Sequence, residues 1–172
     1  MKPVSCLLFT AFLFFTIQAK ASAQGKMSLG AGLAYGFSLE KAGIQANGAY
    51  AFNDKMRLGV DITYWLTDDV ASHIDGESWS ITYLESNANY NYIFYDEVRL
   101  LFYVIGTFGV HITYEKIDVV GYSGSEADID IGVGVGTGVE YGLNSVKLYA
   151  EPRFFLNGFG QFALSAGLRI PF

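Results

Sequence analysis

Apolar side chains recur at every second position through most of the chain after residue 25. The closing segment shows this most clearly, because every second residue from Phe172 back to Phe162 is apolar and the residues between them are small or charged. Successive side chains of a strand point to opposite faces, so this period of two predicts a strand with one apolar and one polar face.

The same period predicts seven further strands, separated by short polar segments. The eight strands are predicted at residues 26–37, 44–52, 56–66, 80–94, 98–114, 127–141, 146–155 and 162–172. Tight turns are expected at 53–55, 95–97 and 142–145, short links at 38–43 and 157–160, and longer loops at 67–79 and 116–126. Several strands exceed the ~9–11 residues that a tilted strand needs to cross a bilayer.

Residues 1–23 have the pattern of a cleavable secretory signal peptide. Lys2 gives a positive start, residues 4–17 are apolar, and residues 19–23 place small side chains at cleavage spacing. The alternative is an uncleaved anchor, but the apolar run is shorter than the ~20 residues that a spanning helix needs. Cys6 is the one cysteine and would leave with the signal, so no disulfide is expected in the mature domain.

The composition of the predicted mature domain, residues 24–172, narrows the class of protein. Loss of Lys2 and Lys20 leaves nine basic residues against 17 acidic ones, a net charge of −8 (9 − 17). Nucleic-acid partners require a basic face, so none is expected. With 20 glycines, 12 tyrosines and 14 phenylalanines, the chain favours strands and turns, either as a soluble β protein or as a membrane β-barrel.

The distribution of apolar and charged residues between the two strand faces distinguishes a soluble β protein from a membrane β-barrel. A soluble lipocalin-like barrel places apolar residues inside, whereas here the apolar faces carry aromatic residues at both strand ends, as in the two girdles of a membrane barrel. The opposite faces carry charges of both signs, which an enclosed lumen tolerates only when they pair. This predicted lumenal charge network consists of Arg57, Asp61, Glu85, Arg99, Glu140, Lys147, Glu151, Arg153 and Arg169.

The fold class predicted is therefore all-β, an eight-stranded antiparallel up-and-down transmembrane β-barrel in a bacterial outer membrane. Both termini and the three tight turns are expected on the periplasmic side, and the longer loops on the outer side. Eight strands enclose little more than side chains, so a conducting pore is not expected.

A run of alternating glycines at residues 132–138 is expected to make room for large charged neighbours across the 142–145 turn. Counting back from that turn predicts the pairs Glu140–Lys147, Gly136–Glu151 and Gly134–Arg153. Pro152 lacks a backbone N–H, so a bulge or local distortion is expected there that could exchange inward and outward positions after it.

Three stretches resemble a known family. Residues 101–109, the hairpin formed by 132–141 and 146–153, and the ending 167–172 are similar to the outer-membrane β-barrel domain family, which includes the OmpA transmembrane domain, OmpX and the opacity-type adhesins. The resemblance covers the whole mature chain and implies the same fold and location. The aromatic closing strand is expected to act as a C-terminal assembly signal for the barrel-insertion machinery, through Leu168, Ile170 and Phe172.

The two histidines are the main candidates for chemistry. His73 lies in the acidic 67–79 loop, where a divalent cation is conceivable, but the spacing favours a solvated loop. His111 is predicted to face the lumen near Thr113, which loosely resembles the His–Ser–Glu arrangement of outer-membrane lipid-A deacylases but has Thr in place of Ser. A lumenal hydrogen-bond network is the favoured interpretation, so no catalytic residue, metal or cofactor is predicted.

Three functions are compatible with these patterns. The favoured one is a small non-enzymatic barrel that supports envelope integrity or surface interaction. The alternatives are a small barrel that binds or passes small or apolar molecules, and a lipid-A-modifying outer-membrane enzyme. The expected partners are outer-membrane lipid, lipopolysaccharide and, during biogenesis, the barrel-assembly machinery, with no nucleic acid and a monomeric chain.

Overall fold

The computed structural model describes residues 27–66, 70–71, 78–119, 122–156 and 160–172. Its strands are β1 Met27–Gly36, β2 Lys41–Asn53, β3 Met56–Trp65, β4 Val70–Ala71, β5 Ser78–Asp96, β6 Leu100–Val119, β7 Tyr122–Leu143, β8 Val146–Phe155 and β9 Phe162–Pro171. The predicted signal peptide and His73 lie outside the described residues. Within these ranges, no helix is long and apolar enough to cross a membrane.

Eight of these strands form a closed antiparallel barrel, which confirms the predicted fold class. Leaving β4 aside, each strand pairs with the next along the chain, so that β3 pairs with β5, and β1 closes the ring on β9 from Ser28–Pro171 to Gly36–Ala163. The two-residue β4 adds only to the outer end of β5. Closure gives each barrel strand a partner on both sides, so the backbone polar groups are satisfied without a free edge in the bilayer.

The inside and outside faces follow the predicted alternation. On β6, Tyr103, Thr107 and His111 are buried, whereas Val104 and Phe108 between them are about half exposed. Aromatic side chains lie exposed at both ends of the outer surface, with Tyr35 and other rings at one end and Tyr50 and other rings at the other. Neighbouring rings pack at centroid distances of 5.0 Å for Tyr35–Phe37, 5.1 Å for Phe37–Phe162 and 5.6 Å for Tyr50–Phe52.

The β7–β8 turn is tighter than predicted, and the predicted register is wrong by two residues. Asn144 adopts a left-handed φ of 55°, which allows a two-residue turn between Leu143 and Val146. The observed pairs are Gly142–Lys147, Glu140–Tyr149, Gly136–Arg153 and Gly134–Phe155. Because the shift is even, every side chain keeps its predicted face.

Pro152 interrupts the ladder without shifting it. The β7–β8 pairing stops after Val139–Ala150 and resumes at Gly136–Arg153 in the same register, so the predicted exchange of faces does not occur. On the other side, Pro152 pairs normally with Leu164 of β9. The proline therefore costs ladder bonds toward β7 only, and Arg153 stays buried.

The β5–β6 turn lies two residues later than predicted. β5 continues to Asp96 through an irregularity between Ile93 and Tyr95, and Glu97 N–H donates to Leu100 O at 2.9 Å to close the turn. Val98 was predicted to begin a strand, but it lies in this turn and is 99% exposed. The register within the barrel, with Tyr92 opposite Val104, already centres the turn near Val98, and the irregularity adds one unpaired residue on β5.

The predicted loop at residues 116–126 is wrong, because the strands continue through it. β6 and β7 pair without interruption from the barrel to Val119–Tyr122, and Ser78 and Trp79 of the predicted 67–79 loop belong to β5. Outside a bilayer both faces of a strand meet water, so the apolar alternation fades although the backbone ladder persists. We call residues 113–119 and 122–131 the outer hairpin, and the opposite end of the barrel, which carries the tight turns, the turn end.

Candidate functional site

The centre of the lumen is built around Arg153 of β8. Its Nη1 lies 2.7 Å from Asp61 Oδ2, and its Nη2 lies 2.5 Å from Glu151 Oε2. Asp61 on β3 also accepts hydrogen bonds from the side-chain amides of Asn87, at 2.8 Å, and Asn89. Arg153 thereby joins β8 to β3 on the opposite wall of the barrel, and Asp61 extends the connection to β5 through Asn87 and Asn89.

Arg169 of β9 forms a second centre. Its Nη1 donates to Glu140 Oε1 and its Nη2 to Glu151 Oε1, both at 2.7 Å, while its Nε donates to Asn47 Oδ1 at 2.8 Å. The guanidinium also lies over the Tyr149 ring, 4.2 Å from the centroid. Planar guanidinium groups suit such multiple, stacked contacts better than a lysine ammonium does.

Glu140 contacts three cationic side chains near the turn end. Besides Arg169, it accepts from Arg57 Nη1 at 2.7 Å and from Lys147 Nζ at 3.4 Å. Arg57 packs over the ring of Tyr103 at 4.5 Å. Lys147 is the most exposed member, with 36% of its side-chain surface accessible.

Arg99 was predicted to belong to this network, and that prediction is wrong. The β5–β6 turn places it outside the strands with an exposed side chain. The structure brings together the other eight predicted residues: Arg57, Lys147, Arg153 and Arg169 with Asp61, Glu85, Glu140 and Glu151. Four cations therefore balance four carboxylates, which offsets the desolvation cost of enclosing them.

Neutral polar side chains link the ions, and no member of this group was assigned to the network from the sequence. Tyr149 OH accepts from Asn47 Nδ2 at 2.8 Å and donates to Gln45 Oε1 at 3.0 Å. Thr107 donates to Asn89 Oδ1 at 2.8 Å. The signal available in the sequence was the row of amides at alternate positions of β2 and β5.

Glycines make room for the arginines. A Cβ added at Gly136 would lie 3.0 Å from Arg153 Cγ, and one at Gly30 would lie 2.7 Å from Arg169 Cγ. The prediction that the β7 glycines lie beside large charged side chains is therefore confirmed for Gly136. Its neighbour across the strands is Arg153, whereas Glu151 was predicted.

Apolar side chains close the network at both ends. At the outer end Trp65 and Phe155 are fully buried, and Trp65 clusters with Ala34 and Ala163. Toward the turn end, Ile93, Leu101, Tyr103 and Ile105 form a second buried cluster. A cavity of about 210 Å³ lies beyond that cluster, open at the turn-end mouth and lined by residues that include Asp54, Asp96 and Lys147.

His111 lies inside the outer part of the lumen and has no accessible surface. Its Nδ1 is 3.6 Å from Glu85 Oε2, and its ring meets Phe155 edge-on at 5.2 Å. Asp130 is its cross-strand neighbour on β7. Across the described part of the chain, no three metal-ligating side chains gather into a potential metal site.

The predicted assembly-signal residues form part of the lipid-facing surface. Leu168, Ile170 and Phe172 each expose about half of their surface on the outside of the barrel. Phe172 N–H donates to Met27 O at 2.9 Å, so the last residue is tied to the first strand. Their recognition by an assembly machinery stays a prediction.

Comparison with known proteins agrees with this geometry. Residues 7–167 match the family described as outer membrane protein beta-barrel domain. The chain belongs to this family. Its location is accordingly the bacterial outer membrane, as predicted. No curated protein matches the sequence.

Solved structures share the barrel of this outer-membrane family at low sequence identity. Ail of Yersinia pestis, crystallised with the heparin analogue sucrose octasulfate, matches with a TM-score of 0.64 and 16% identity over 86% of this chain and 99% of Ail. Neisserial surface protein A has a TM-score of 0.57 and 22% identity over 88% of this chain and all of its own. The N-terminal barrel of Pseudomonas aeruginosa OprF has a TM-score of 0.50 and 16% identity, covering 88% and 100%. At these identities the likeness shows the fold alone.

Proposed function

We propose that this protein is a non-conducting, non-enzymatic outer-membrane barrel that supports envelope integrity or surface interaction. The observation that carries the proposal is the filled lumen. A balanced set of eight charged side chains, joined by hydrogen bonds between opposite walls, occupies the described lumen between apolar clusters at its two ends, and this packing supports a barrel that does not conduct ions.

The alternative of a lipid-A-modifying enzyme finds little support in the position of His111. Lipid A reaches the outside of the barrel, whereas His111 is fully buried inside and is separated from that surface by the barrel wall. A general base must reach the proton that it abstracts, directly or through one water molecule.

The alternative of a barrel that passes small or apolar molecules conflicts with the packing of the lumen. The cavity at the turn-end mouth stops at the cluster that contains Leu101 and Tyr103. Passage would require the Arg169 contacts to Glu140 and Glu151 to break, leaving buried charges without partners.

The outer end of the barrel is therefore the part that remains available for an interaction. Ail was crystallised with a polyanion, sucrose octasulfate. The outer hairpin of this chain carries Glu115, Glu126, Asp128 and Asp130, and like charges repel. A cationic partner suits this surface better than a sulfated one.

Planar-bilayer recording of the purified protein tests the proposal, with a large general porin as the positive control. We expect no steady, discrete conductance steps at concentrations at which the porin conducts. Regular single-channel steps from the folded protein would overturn the filled-lumen interpretation.

Mass spectrometry of lipid A from cells with and without the protein tests the proposal that the protein is not a lipid-A-modifying enzyme. The two lipid A profiles should be identical, and the His111→Ala variant should give the same profile as the unmodified protein. A lipid A species that appears with the protein and disappears with His111→Ala would establish an enzyme instead.

A further inference from the structure

The cavity at the turn-end mouth is lined by charged side chains of both signs. Arg57 and Lys147 contribute positive charge, and Asp54 and Asp96 contribute negative charge, beside the buried apolar Leu101. The volume of about 210 Å³ equals that of roughly seven water molecules at ~30 Å³ each. A small solute therefore fits the space, and a solute with two opposite charges would meet partners for both.

Arg57 has hydrogen-bond donors that the protein does not use. The residue is 6% exposed, and its Nη1 donates to Glu140 Oε1 at 2.7 Å. Among the described residues, neither its Nε nor its Nη2 has a hydrogen-bond acceptor. These two nitrogens form the side of a guanidinium that binds a carboxylate through two parallel hydrogen bonds. Since buried polar groups are normally paired, the unused side of Arg57 suits an anionic group of a ligand.

Lys147 adds a second cation that a solute in the cavity reaches directly. Its side chain is 36% accessible, and its Nζ donates to Glu140 Oε2 at the long distance of 3.4 Å. An ammonium group has three N–H donors, so others remain for a ligand. The unpaired nitrogens of Arg57 have less than 1 Å² of accessible surface each. They become available when the guanidinium turns in its own plane, a movement that keeps it over the Tyr103 ring.

An irregularity in β5 turns Asp96 toward the mouth of the cavity. Ile93 is buried in the lumen, but Tyr95, two residues later, is exposed on the outside, so inward and outward positions exchange between them. After this exchange Asp96 lies opposite Leu101, whose side chain is buried. Bulges re-aim side chains in this way. In an uninterrupted strand Asp96 would face outward instead.

Asp54 reaches the same mouth from the turn between β2 and β3. Lys55 O accepts a hydrogen bond from Ile93 N–H at 2.8 Å, which holds this turn against the end of β5. Asp54 and Asp96 are both exposed, whereas Arg57 is buried. The cavity therefore has a cationic floor, formed by Arg57 and Lys147, and an acidic rim, formed by Asp54 and Asp96.

We propose that this cavity binds a small zwitterionic solute of the amino-acid class, with its carboxylate at the cationic floor and its ammonium group at the acidic rim. The carboxylate accepts from the unpaired side of Arg57 and from Lys147. A simple anion is repelled by the rim, and a simple cation is repelled by the floor. The buried lining residues belong to the lumen, so the site opens along the barrel axis to a solute and not sideways to a lipid headgroup.

The inference goes beyond the proposed function and does not depend on it. The cavity ends at the buried cluster that contains Leu101 and Tyr103, so an occupied cavity opens no path through the barrel. Conductance would refute the proposed function without bearing on this site. Lack of ligand binding would refute the site and leave the proposed function standing.

The test uses the full chain folded in lipid nanodiscs and follows its amide resonances by NMR during titration. The probe is 4-aminobutyrate, with butyrate and butylamine as controls that each lack one of its two charges. We expect 4-aminobutyrate to cause saturable shifts at the residues that line the cavity, and these should weaken as salt rises. Butyrate should bind about fivefold more weakly, and butylamine should not bind.

Matched variants separate the rim from the floor. Asp96→Asn should weaken binding of 4-aminobutyrate about threefold and leave butyrate no weaker, because only the ammonium loses a partner. Glu97→Gln, with the same change of charge one residue away and outside the cavity lining, should bind normally. Lys147→Gln should weaken both ligands about threefold. Arg57→Lys keeps the charge beside Glu140 but loses the paired donors, so both ligands should bind about tenfold more weakly.

Unchanged heat-modifiable electrophoretic mobility verifies that each variant is folded, and if Arg57→Lys does not fold, the Asp96 and Lys147 variants decide. No saturable shift at the cavity would overturn the inference, because the space would then hold water only. Equal affinities for 4-aminobutyrate and butyrate would also overturn it, since the rim would play no part in recognition. Equal weakening by Asp96→Asn and Glu97→Gln would overturn it as well, because the charge of the turns, and not the cavity, would then attract the probe.

Discussion

The inner and outer halves of β7 obey the same backbone rules but face different surroundings. From Gly134 to Leu143 the strand has β6 on one side and β8 on the other, and its inward face contributes Glu140 to a balanced charge network. From residue 123 to 131 it pairs, among the described residues, with β6 alone, and its even-numbered carboxylates have no arginine or lysine opposite them on β6. The inner half of β7 is paired on both sides, whereas the described pairing of the outer half is on one side.

This difference explains why the buried charges of the barrel are tolerable. Arg153 and Arg169 have carboxylate partners at 2.5–2.7 Å from other positions of the same closed wall. Glu126 instead lies directly opposite Glu115, which only exposure to water makes acceptable. Charged side chains that are enclosed in the lumen therefore need partners of opposite charge. The substitutions below should lower the free energy of unfolding strongly in the lumen and only slightly on the outer hairpin.

The largest effect is expected from Arg153→Ala. The change leaves Asp61 and Glu151 enclosed without one of their cations, so the free energy of unfolding should fall by about 3–5 kcal/mol, measured by urea titration in lipid vesicles. Arg99→Ala, at an exposed arginine in the turn, should change it by less than ~0.5 kcal/mol. Equal effects of the two substitutions would refute the structural role of the network.

The second largest loss of stability is expected from a charge introduced on the lipid-facing surface. Val104→Asp places a carboxylate near mid-bilayer and should cost about 2 kcal/mol of folding free energy in vesicles and impair membrane assembly. The matched Val98→Asp lies in the turn, where Val98 is 99% exposed, and should fold normally. Normal heat-modifiable folding of Val104→Asp would contradict the inside and outside assignment.

Two glycines of neighbouring strands should respond differently to the same change. Gly136→Ala brings the new Cβ within 2.6 Å of the Pro152 backbone oxygen and 3.0 Å of Arg153 Cγ, and should destabilise the barrel by about 1–2 kcal/mol in the same titration. Gly106→Ala faces lipid with no atom within 4 Å of the new Cβ, so it should be neutral or slightly stabilising. A loss of stability in Gly106→Ala as large as that in Gly136→Ala would contradict the close approach described for Arg153.

The smallest effect is expected on the outer hairpin. Glu126→Lys replaces a like-charge pair with an opposite-charge pair across from Glu115 and should stabilise the hairpin by about 0.5 kcal/mol. Amide hydrogen exchange should slow in residues 113–119 and 122–131 and stay unchanged in the barrel. Ser125→Gln, on the other face of β7, is the control, because a lysine at this position would lie directly opposite Lys116. Faster exchange in Glu126→Lys than in the control would show that the two carboxylates do not repel.

The period of two predicted the barrel because the medium that each side chain faces, lipid or lumen, determines whether that side chain is apolar or polar. Lipid outside and a polar lumen inside impose a strict period of two, so residues such as Tyr103 and Val104 could be assigned without coordinates. The same logic failed at residues 116–126, where the apolar alternation is lost although β6 and β7 remain paired.

Turn geometry accounts for the other differences. The left-handed Asn144 and the irregularity at Ile93 and Tyr95 each change the length of a turn, and a period of two does not report such changes. The turn at Asn144 shifted the β7–β8 register by two residues, and the later position of the β5–β6 turn removed Arg99 from the lumen. Which carboxylate meets which arginine depends on that register, so the members of the network were predictable and most of its contacts were not.

A double-mutant cycle between Asp61 and Arg153 tests most directly whether the lumen is a paired network. The variants Asp61→Asn, Arg153→Met and their combination are unfolded by urea in lipid vesicles, and the three losses of stability are compared. The 2.7 Å contact predicts a coupling free energy of about 2 kcal/mol, with the double variant less damaged than the sum of the two single variants. Losses that add to within ~0.5 kcal/mol would contradict a lumen held together by paired charges.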